Sequence, residues 1–282
     1  MPINEYPLVS IISPCWNGEK YIARMLESIM KQTYKNIELI CINDGSTDKT
    51  EEIIHSYERK FSNHGMTLKC YTQENQGQAA ALNYGLKMIQ GEFLSWIDCD
   101  DFLAPDSVEK KLKVLLENPE YSIVTSDFYI VNEEDINRIV DVRGKIYGSL
   151  NYQTNQFYLT LIGKSIMECH CHMLRVCDLR KINPRMEISK CRAGQNYQLL
   201  LPMYYYYKRI YINEPLAYYV IRKDSHYHKI RSYKEMIERY ELLIEMLRET
   251  LESINISASE SKRLISISVF NSEKRRLMDN NG

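Results

Sequence analysis

Along this chain, short apolar runs alternate with segments whose apolar residues recur at helical spacing. Residues 8–13 (LVSIIS), 37–42 (IELICI) and 93–97 are apolar runs of strand length, and 66–72 and 121–131 also read as strands. Such runs suit strands buried on both faces. Between the first two, Ile22, Met25, Leu26, Ile29 and Met30 predict a helix over about residues 19–32. Ser46-Thr47-Asp48 offers caps for a helix through Ile53, Ile54 and Tyr57. Residues 78–89, rich in alanine and leucine, and 105–117, opening on Pro105, read as two more helices. This order predicts an α/β fold with a Rossmann-like, mostly parallel sheet covered by helices on both faces.

The second half is less regular. Residues 133–165 are polar with weak periodicity and read as loops and a helix crossing the sheet. SIMECHCHMLRV (165–176) and YYYYKRIYI (204–212) read as strands, with Tyr204–Tyr207 in the latter. From Tyr233 to Leu251, the spacing of Ile237, Tyr240, Leu243, Ile244, Leu247 and Leu251 predicts an amphipathic helix, and 259–278 a basic one. The expected organisation is a first half over 1–132, a second half of the same domain over 133–232, and a C-terminal helical extension over 233–282.

The net charge of -1 removes the electrostatic case for a general nucleic-acid binder. No apolar run approaches the ~18 residues that span a bilayer, and MPINEYPLVS has no signal-peptide pattern. The eight cysteines form no CxxC pair and read as reduced thiols of a cytoplasmic protein. The basic tail (Lys262, Arg263, Lys274, Arg275, Arg276) could touch anionic lipid at the inner face of a membrane, but a solvated helix face is the default reading.

Three polar clusters follow apolar strands, where ligands bind in open α/β sheets. They are Pro14-Cys15-Trp16-Asn17, Asn43-Asp44-Gly45-Ser46 and Asp98-Cys99-Asp100-Asp101. Taken singly, Asp44-Gly45-Ser46 is a turn with a helix cap. An acidic cluster after a buried strand must be either solvated or bound to something positive. Aspartate is a hard oxygen ligand suited to Mn²⁺ or Mg²⁺. On an extended segment Asp98 and Asp100 would face the same side. The chain carries neither a Walker A loop nor GxGxxG, so ATPase and dinucleotide readings lose their main support.

VSIISPCWNGEKYIARMLESIMKQTYKNIELICINDGSTDKT followed by ENQGQAAALNYGLKMIQGEFLSWIDCDD resembles the nucleotide-binding half of family 2 glycosyltransferases with the GT-A fold, of the bacterial surface-polysaccharide type. The likeness is dense over residues 8–105 and looser to about 222. It implies inverting, metal-dependent transfer from a UDP-sugar donor to a saccharide acceptor, lipid-linked in many members, by a hexosyl- or N-acetylhexosaminyltransferase. Pro14 and Trp16 match positions that contact uracil, and Asp44 the acid that accepts its N3–H. Asp98 matches the DxD acid near the ribose and Asp100 the metal ligand. Asn75, Gly77 and Ala80 match the lining of the donor pocket, and Asn17, Glu19 and Cys99 adjoin these matches.

One departure stands out. The family usually carries Glu-Asp before an apolar helix as the catalytic acid pair, whereas AGQNYQLLLPM has Gln195-Asn196 there. Gln195 and Asn196 can hydrogen-bond the acceptor, with Asn196 orienting it, but an amide has no useful basicity, so the candidate bases become Glu187, Asp224, His172, His226 and His228. The resemblance also allows a loop holding His226 and His228 to close over the diphosphate, with an ordinary surface loop as the other reading. In Cys169-His170-Cys171-His172, strand alternation would put the histidines on one face and the cysteines on the other, which does not suit a tetrahedral zinc site. Two other readings remain: a non-catalytic nucleotide-sugar-binding partner protein, and a nucleotidyltransferase, which would need a basic glycine-rich loop that SPCWNGEKY is not.

Overall fold

The computed structural model describes residues 6–191, 194–222 and 233–279, with the side chains of 233, 270 and 272–279 left aside. The chain starts with β1 (Val9–Cys15), α1 (Ile22–Met30), β2 (Ile37–Asp44), α2 (Thr50–Asn63), β3 (Thr67–Gln73), α3 (Gln78–Met88) and β4 (Phe93–Trp96). There follow the short β5 (Phe102–Leu103), α4 (Ser107–Glu117), the long β6 (Tyr121–Asn132) and β7 (Asp135–Val142). Then come α5 (Gly144–Tyr147), a 3₁₀ turn (Gly148–Tyr152), α6 (Gln156–Leu161), a second 3₁₀ turn (Cys169–Cys171), β8 (His172–Arg175) and α7 (Val176–Ile182). The last elements are α8 (Gln195–Tyr206), β9 (Lys208–Ile221), α9 (Tyr233–Ser253) and α10 (Ala258–Asp279).

Among the described residues one sheet runs in the order β3-β2-β1-β4-β8-β6-β9-β5, with β7 paired to β6. The β3-β2-β1-β4 half is wholly parallel. β8 runs antiparallel to both neighbours, whereas β9 lies parallel to β6. Successive units extend from β1 toward β3 and then jump to β4 on its other side. That reversal opens a crevice beyond the carboxyl ends of β1 and β4, where α/β sheets bind ligands.

Alternation along β1 sorts the core. Val9 and Ile11 pack with α1, α2 and α4 through Met25, Phe61 and Leu112. Ile12 faces the other side, with Leu82 and Leu86 of α3 and Leu199 and Met203 of α8. A third cluster joins Leu201 of α8 to Met246, Leu247 and Leu251 of α9 and to Leu264 and Ile265 of α10. The C-terminal helices therefore pack onto the domain through α8. Among the described residues no helix is long and apolar enough to cross a membrane.

The second half corrects three expectations. Residues 133–165, read as loops and a crossing helix, hold the short helices α5 and α6 but also the unpredicted β7, which extends β6 as a hairpin. Tyr204, Tyr205 and Tyr206 end α8, and the strand begins only at Lys208. Aromatic β-preference is outweighed there by Leu199, Leu200, Met203 and Tyr204, whose helical spacing buries one face of α8. Cys169–Cys171 turn before β8 starts, so strand alternation does not hold and both histidines and both cysteines are buried. All eight cysteines are free.

Candidate active site

Asp98, Asp100 and Asp101 lie where the chain leaves β4. Ile97 still follows β1, its N–H donating to Ile12 O at 2.9 Å. Asp101 N–H then donates to Asp98 O at 3.1 Å and closes a turn. One carboxylate oxygen from each of the three aspartates falls within 4.8 Å of the others. A turn, not the extended segment expected, brings Asp98 and Asp100 together, and it recruits Asp101. Burial, followed by the charges of Asp100 and Asp101, pushes the Asp98 carboxyl up to about 7. Asp101 is buried and anchored within the protein. Its Oδ1 accepts Val220 N–H at 2.9 Å, and His170 Nδ1 lies 2.9 Å from its Oδ2 without alignment for a hydrogen bond. Hard oxygens crowded at this spacing fit a divalent cation such as Mn²⁺ or Mg²⁺, which would relieve their mutual repulsion.

The loops after β1 and β2 are laced together. Asn17 sits at φ 49°, its N–H donating to Ser46 Oγ at 3.0 Å and its Oδ1 accepting Thr47 N–H at 2.9 Å. Glu19 N–H donates to Asp48 Oδ2 at 3.1 Å, and Glu19 Oε2 accepts Lys49 N–H at 3.1 Å. These bonds hold Trp16 at the rim, 49% exposed beside the buried Pro14. Asn17 and Glu19 thus shape the rim through loop contacts. Gly18 admits Cys99, since a Cβ there would stand 3.0 Å from Cys99 Sγ.

Asp44 ends β2 and is buried. Its Oδ1 accepts Gln73 Nε2 at 2.7 Å and Gln76 N–H at 3.0 Å, and its Oδ2 accepts Gly77 N–H at 2.9 Å. A carboxylate offers about four lone-pair sites, so one on Oδ2 is left beyond these three bonds. The same bonds draw the Asn75–Gly77 loop against the crevice. Gly45, at φ +69°, permits this approach, because a Cβ there would meet Asn75 N at 2.9 Å. Ala80 is buried in the first turn of α3.

On the facing side, α8 begins at Gln195. Its Nε2 donates to Gln78 Oε1 at 2.7 Å, and Gln78 Nε2 donates in turn to Asp98 Oδ1. Gln78 was missed by the sequence reading. Its signal is a polar residue opening a helix at the sheet's carboxyl edge, next to Gly77 at φ 91°. Asn196 bridges the indole of Trp96 and the Met167 carbonyl.

Two candidate bases fall elsewhere. Glu187 is ion-paired with Lys87, which holds its carboxyl below the usual range. Lys87 lies about 13 Å along α3 from Gln78 at 1.5 Å per residue. Glu187 lines a cavity with Gln198, Pro202 and Thr250. His172 is a core residue: Nδ1 donates to the Glu168 carbonyl at 3.0 Å and Nε2 accepts from Tyr204 Oη at 2.9 Å. Burial lowers it to about 3, so it stays neutral. Asp224, His226 and His228 lie outside the described residues, as do the side chains of Lys274, Arg275 and Arg276. In the described part of the basic tail, Arg263 is paired with Glu260.

A parallel half-sheet with an aspartate turn at its switch point is the GT-A arrangement. The chain belongs to glycosyl transferase family 2, whose sequence profile matches residues 10–182. An uncharacterized glycosyltransferase of Haemophilus influenzae is 39% identical over 158 residues, 55% of this chain and 61% of that protein. Glycosyltransferase GlyA of Streptococcus pneumoniae serotype 4 is 31% identical over 222 residues, 77% of this chain and 31% of GlyA. The chain therefore spans less than two thirds of the length of either relative. S. aureus TarS 1–349 in complex with UDP-GlcNAc superposes with a TM-score of 0.68 at 18% identity, over 94% of this chain and 72% of that one. The mannosyltransferase PcManGT from Pyrobaculum calidifontis, in complex with GDP-Man and Mn²⁺, gives 0.61 at 18% identity, over 95% and 70%. Both likenesses bear on the fold.

Proposed function

We propose that this chain is a metal-dependent inverting glycosyltransferase that moves a sugar from a UDP-sugar to a saccharide acceptor. The observation that carries the reading is the convergence of Asp98, Asp100 and Asp101 within 4.8 Å beyond β4, where the strand order reverses. Asp98 and Asp100 would hold the cation. When bound, it supplies Lewis-acid stabilisation to the leaving diphosphate. Asp44 receives the uracil N3–H on its remaining lone pair, and Trp16 stacks on the base. Gln195 is tied to Asp98 through Gln78 and orients the acceptor beside the donor. The proton of the acceptor hydroxyl goes to a group other than residues 195 and 196, since neither amide takes a proton at neutral pH.

The GlcNAc moiety carried by the donor bound to TarS makes UDP-N-acetylhexosamines the first donors to try. A lipid-linked acceptor and action at the cytoplasmic face of a membrane belong to this same reading. A second reading, a nucleotide-sugar-binding partner protein, is favoured by Asn196, whose amide is engaged at both ends inside the protein. Screening UDP-sugars for hydrolysis and thermal stabilisation, with and without Mn²⁺, separates the two. Binding together with hydrolysis supports the enzyme, binding without it supports the partner protein, and no binding contradicts both.

A further inference from the structure

Arg222 occupies the carboxylate that the reading above gives to a cation. Its Nε lies 2.6 Å from Asp100 Oδ2. The two groups are not aligned as a hydrogen bond, so the contact is an ion pair held by charge. The surroundings seat the guanidinium there. Ile221, the last residue of β9, pairs with Asn132, and its carbonyl accepts Glu133 N–H at 3.0 Å. Val220, one residue earlier, is fastened to Asp101. The guanidinium carbon lies 4.9 Å from the centre of the Tyr21 ring, and Tyr21 Oη donates to Glu133 Oε2 at 3.3 Å. Arg24 takes a different atom, donating from Nη2 to the Asp100 backbone carbonyl at 2.6 Å.

We propose that Arg222 is a resident counter-ion of the acidic turn, occupying Asp100 while no divalent cation is bound and giving way when one arrives. The inference rests on the reading of Asp98 and Asp100 as cation ligands. Three carboxylates at this spacing repel one another, and a fixed guanidinium offsets part of that repulsion in the cation-free protein. The same charge then opposes the incoming ion at a carboxylate the two must share. Arg222 is thereby a positioning residue: it keeps the turn assembled and sets how tightly the site takes a cation.

The test is a titration of the full chain with Mn²⁺ alone, followed by loss of the free-ion paramagnetic resonance signal. Removing one positive charge about 4 Å from a divalent ion is worth about tenfold in affinity even under strong screening. Arg222→Gln should therefore bind Mn²⁺ about tenfold more tightly than wild type, and Arg222→Lys, which keeps the charge, should stay within about threefold. Tyr21→Leu removes the ring beneath the guanidinium and should also tighten binding, which covers the case of an Arg222→Gln chain that does not fold. Equal or weaker Mn²⁺ affinity in the folded variants overturns the inference, provided Asp100→Asn shows that binding depends on Asp100. If wild type and Arg222→Gln both fail to bind Mn²⁺, with and without UDP, the cation reading itself fails and takes the inference with it.

Discussion

The indole N–H of Trp96 donates to Asn196 Oδ1 at 2.9 Å, and this bond fixes what residue 196 can be. The other end of the same amide, Nδ2, donates to the Met167 carbonyl at 3.0 Å. Only a side chain with an acceptor on one arm and a donor on the other meets both partners. Trp96 in turn stacks on His172, which bonds Tyr204 in the last turn of α8. The position where the family carries an acid thus secures α8 to the sheet.

Asn196→Asp should accordingly not restore a base. A carboxylate would set an oxygen against the Met167 carbonyl, leaving a polar contact unmade at a cost of about 1–3 kcal/mol. Urea unfolding should show that loss, and turnover should not rise. An equally stable variant with faster transfer would mean that residue 196 is a vacated catalytic position.

Asp44→Ala removes both the anchor of residues 76–77 and the acceptor for uracil N3–H. UDP binding should weaken by about 1–3 kcal/mol. The preference for UDP over CDP should shrink, because cytosine has no N3–H to donate. Calorimetry with both nucleotides checks this, and an unchanged preference would restrict Asp44 to holding the loop.

The alternation of strands and helices over residues 8–131 was legible because β1, β2 and β4 are buried throughout and the helices between them bury apolar faces, whereas the edge strand β3 is only partly buried and the two-residue β5 gave no signal. Val9, Ile11 and Ile12 indicate by their spacing alone that both sides of β1 are covered. Asp98 and Asp100 stood out because acids directly after a buried strand demand a partner, whereas Asp44 and Trp16 were singled out by the family resemblance. The second half was harder to read, since its elements depend on distant contacts. β8 pairs through only a few residues with β4 and β6, and Tyr204 is helical because α8 packs against Leu82 and Leu86 of α3. Gln78 and Arg222 escaped notice because each acts through a neighbour that only folding brings near. Lys111 did so as well: this fully buried lysine donates from Nζ to the His170 carbonyl at 2.6 Å, behind the acidic turn.

Asp101 and Asp100 should part company on mutation. Asp101→Ala leaves the buried Val220 N–H without this acceptor, an effect of about 1–3 kcal/mol on stability. Asp100→Ala should lose less, because its carboxylate holds only the partly exposed ion pair to Arg222 rather than a buried backbone N–H. Urea melts of the cation-free variants test the order, and a larger loss at Asp100 would contradict it.

His172 gives the protein an acid-side weakness. Its folded value of about 3 lies below the unfolded value of about 6.5. Between these values the unfolded chain binds the extra proton, so stability falls as pH drops below about 6.5. The slope from this one group is about 1.4 kcal/mol per pH unit. His172→Gln cannot titrate and should flatten the stability profile between pH 6.5 and 4 by that amount. A variant with the wild-type slope would show that His172 is not held neutral.

The central claim is that the aspartate turn beyond β4 binds a nucleotide diphosphate through a divalent cation. Calorimetry of UDP against the full chain, with Mn²⁺ and then with a chelator, tests it most directly. Wild type should bind UDP at least about tenfold more tightly with Mn²⁺, through the extra charge contact to the diphosphate. Asp100→Ala should lose that difference while retaining its fold. Equal UDP affinity with and without Mn²⁺ in wild type, or an undiminished difference in Asp100→Ala, would contradict it.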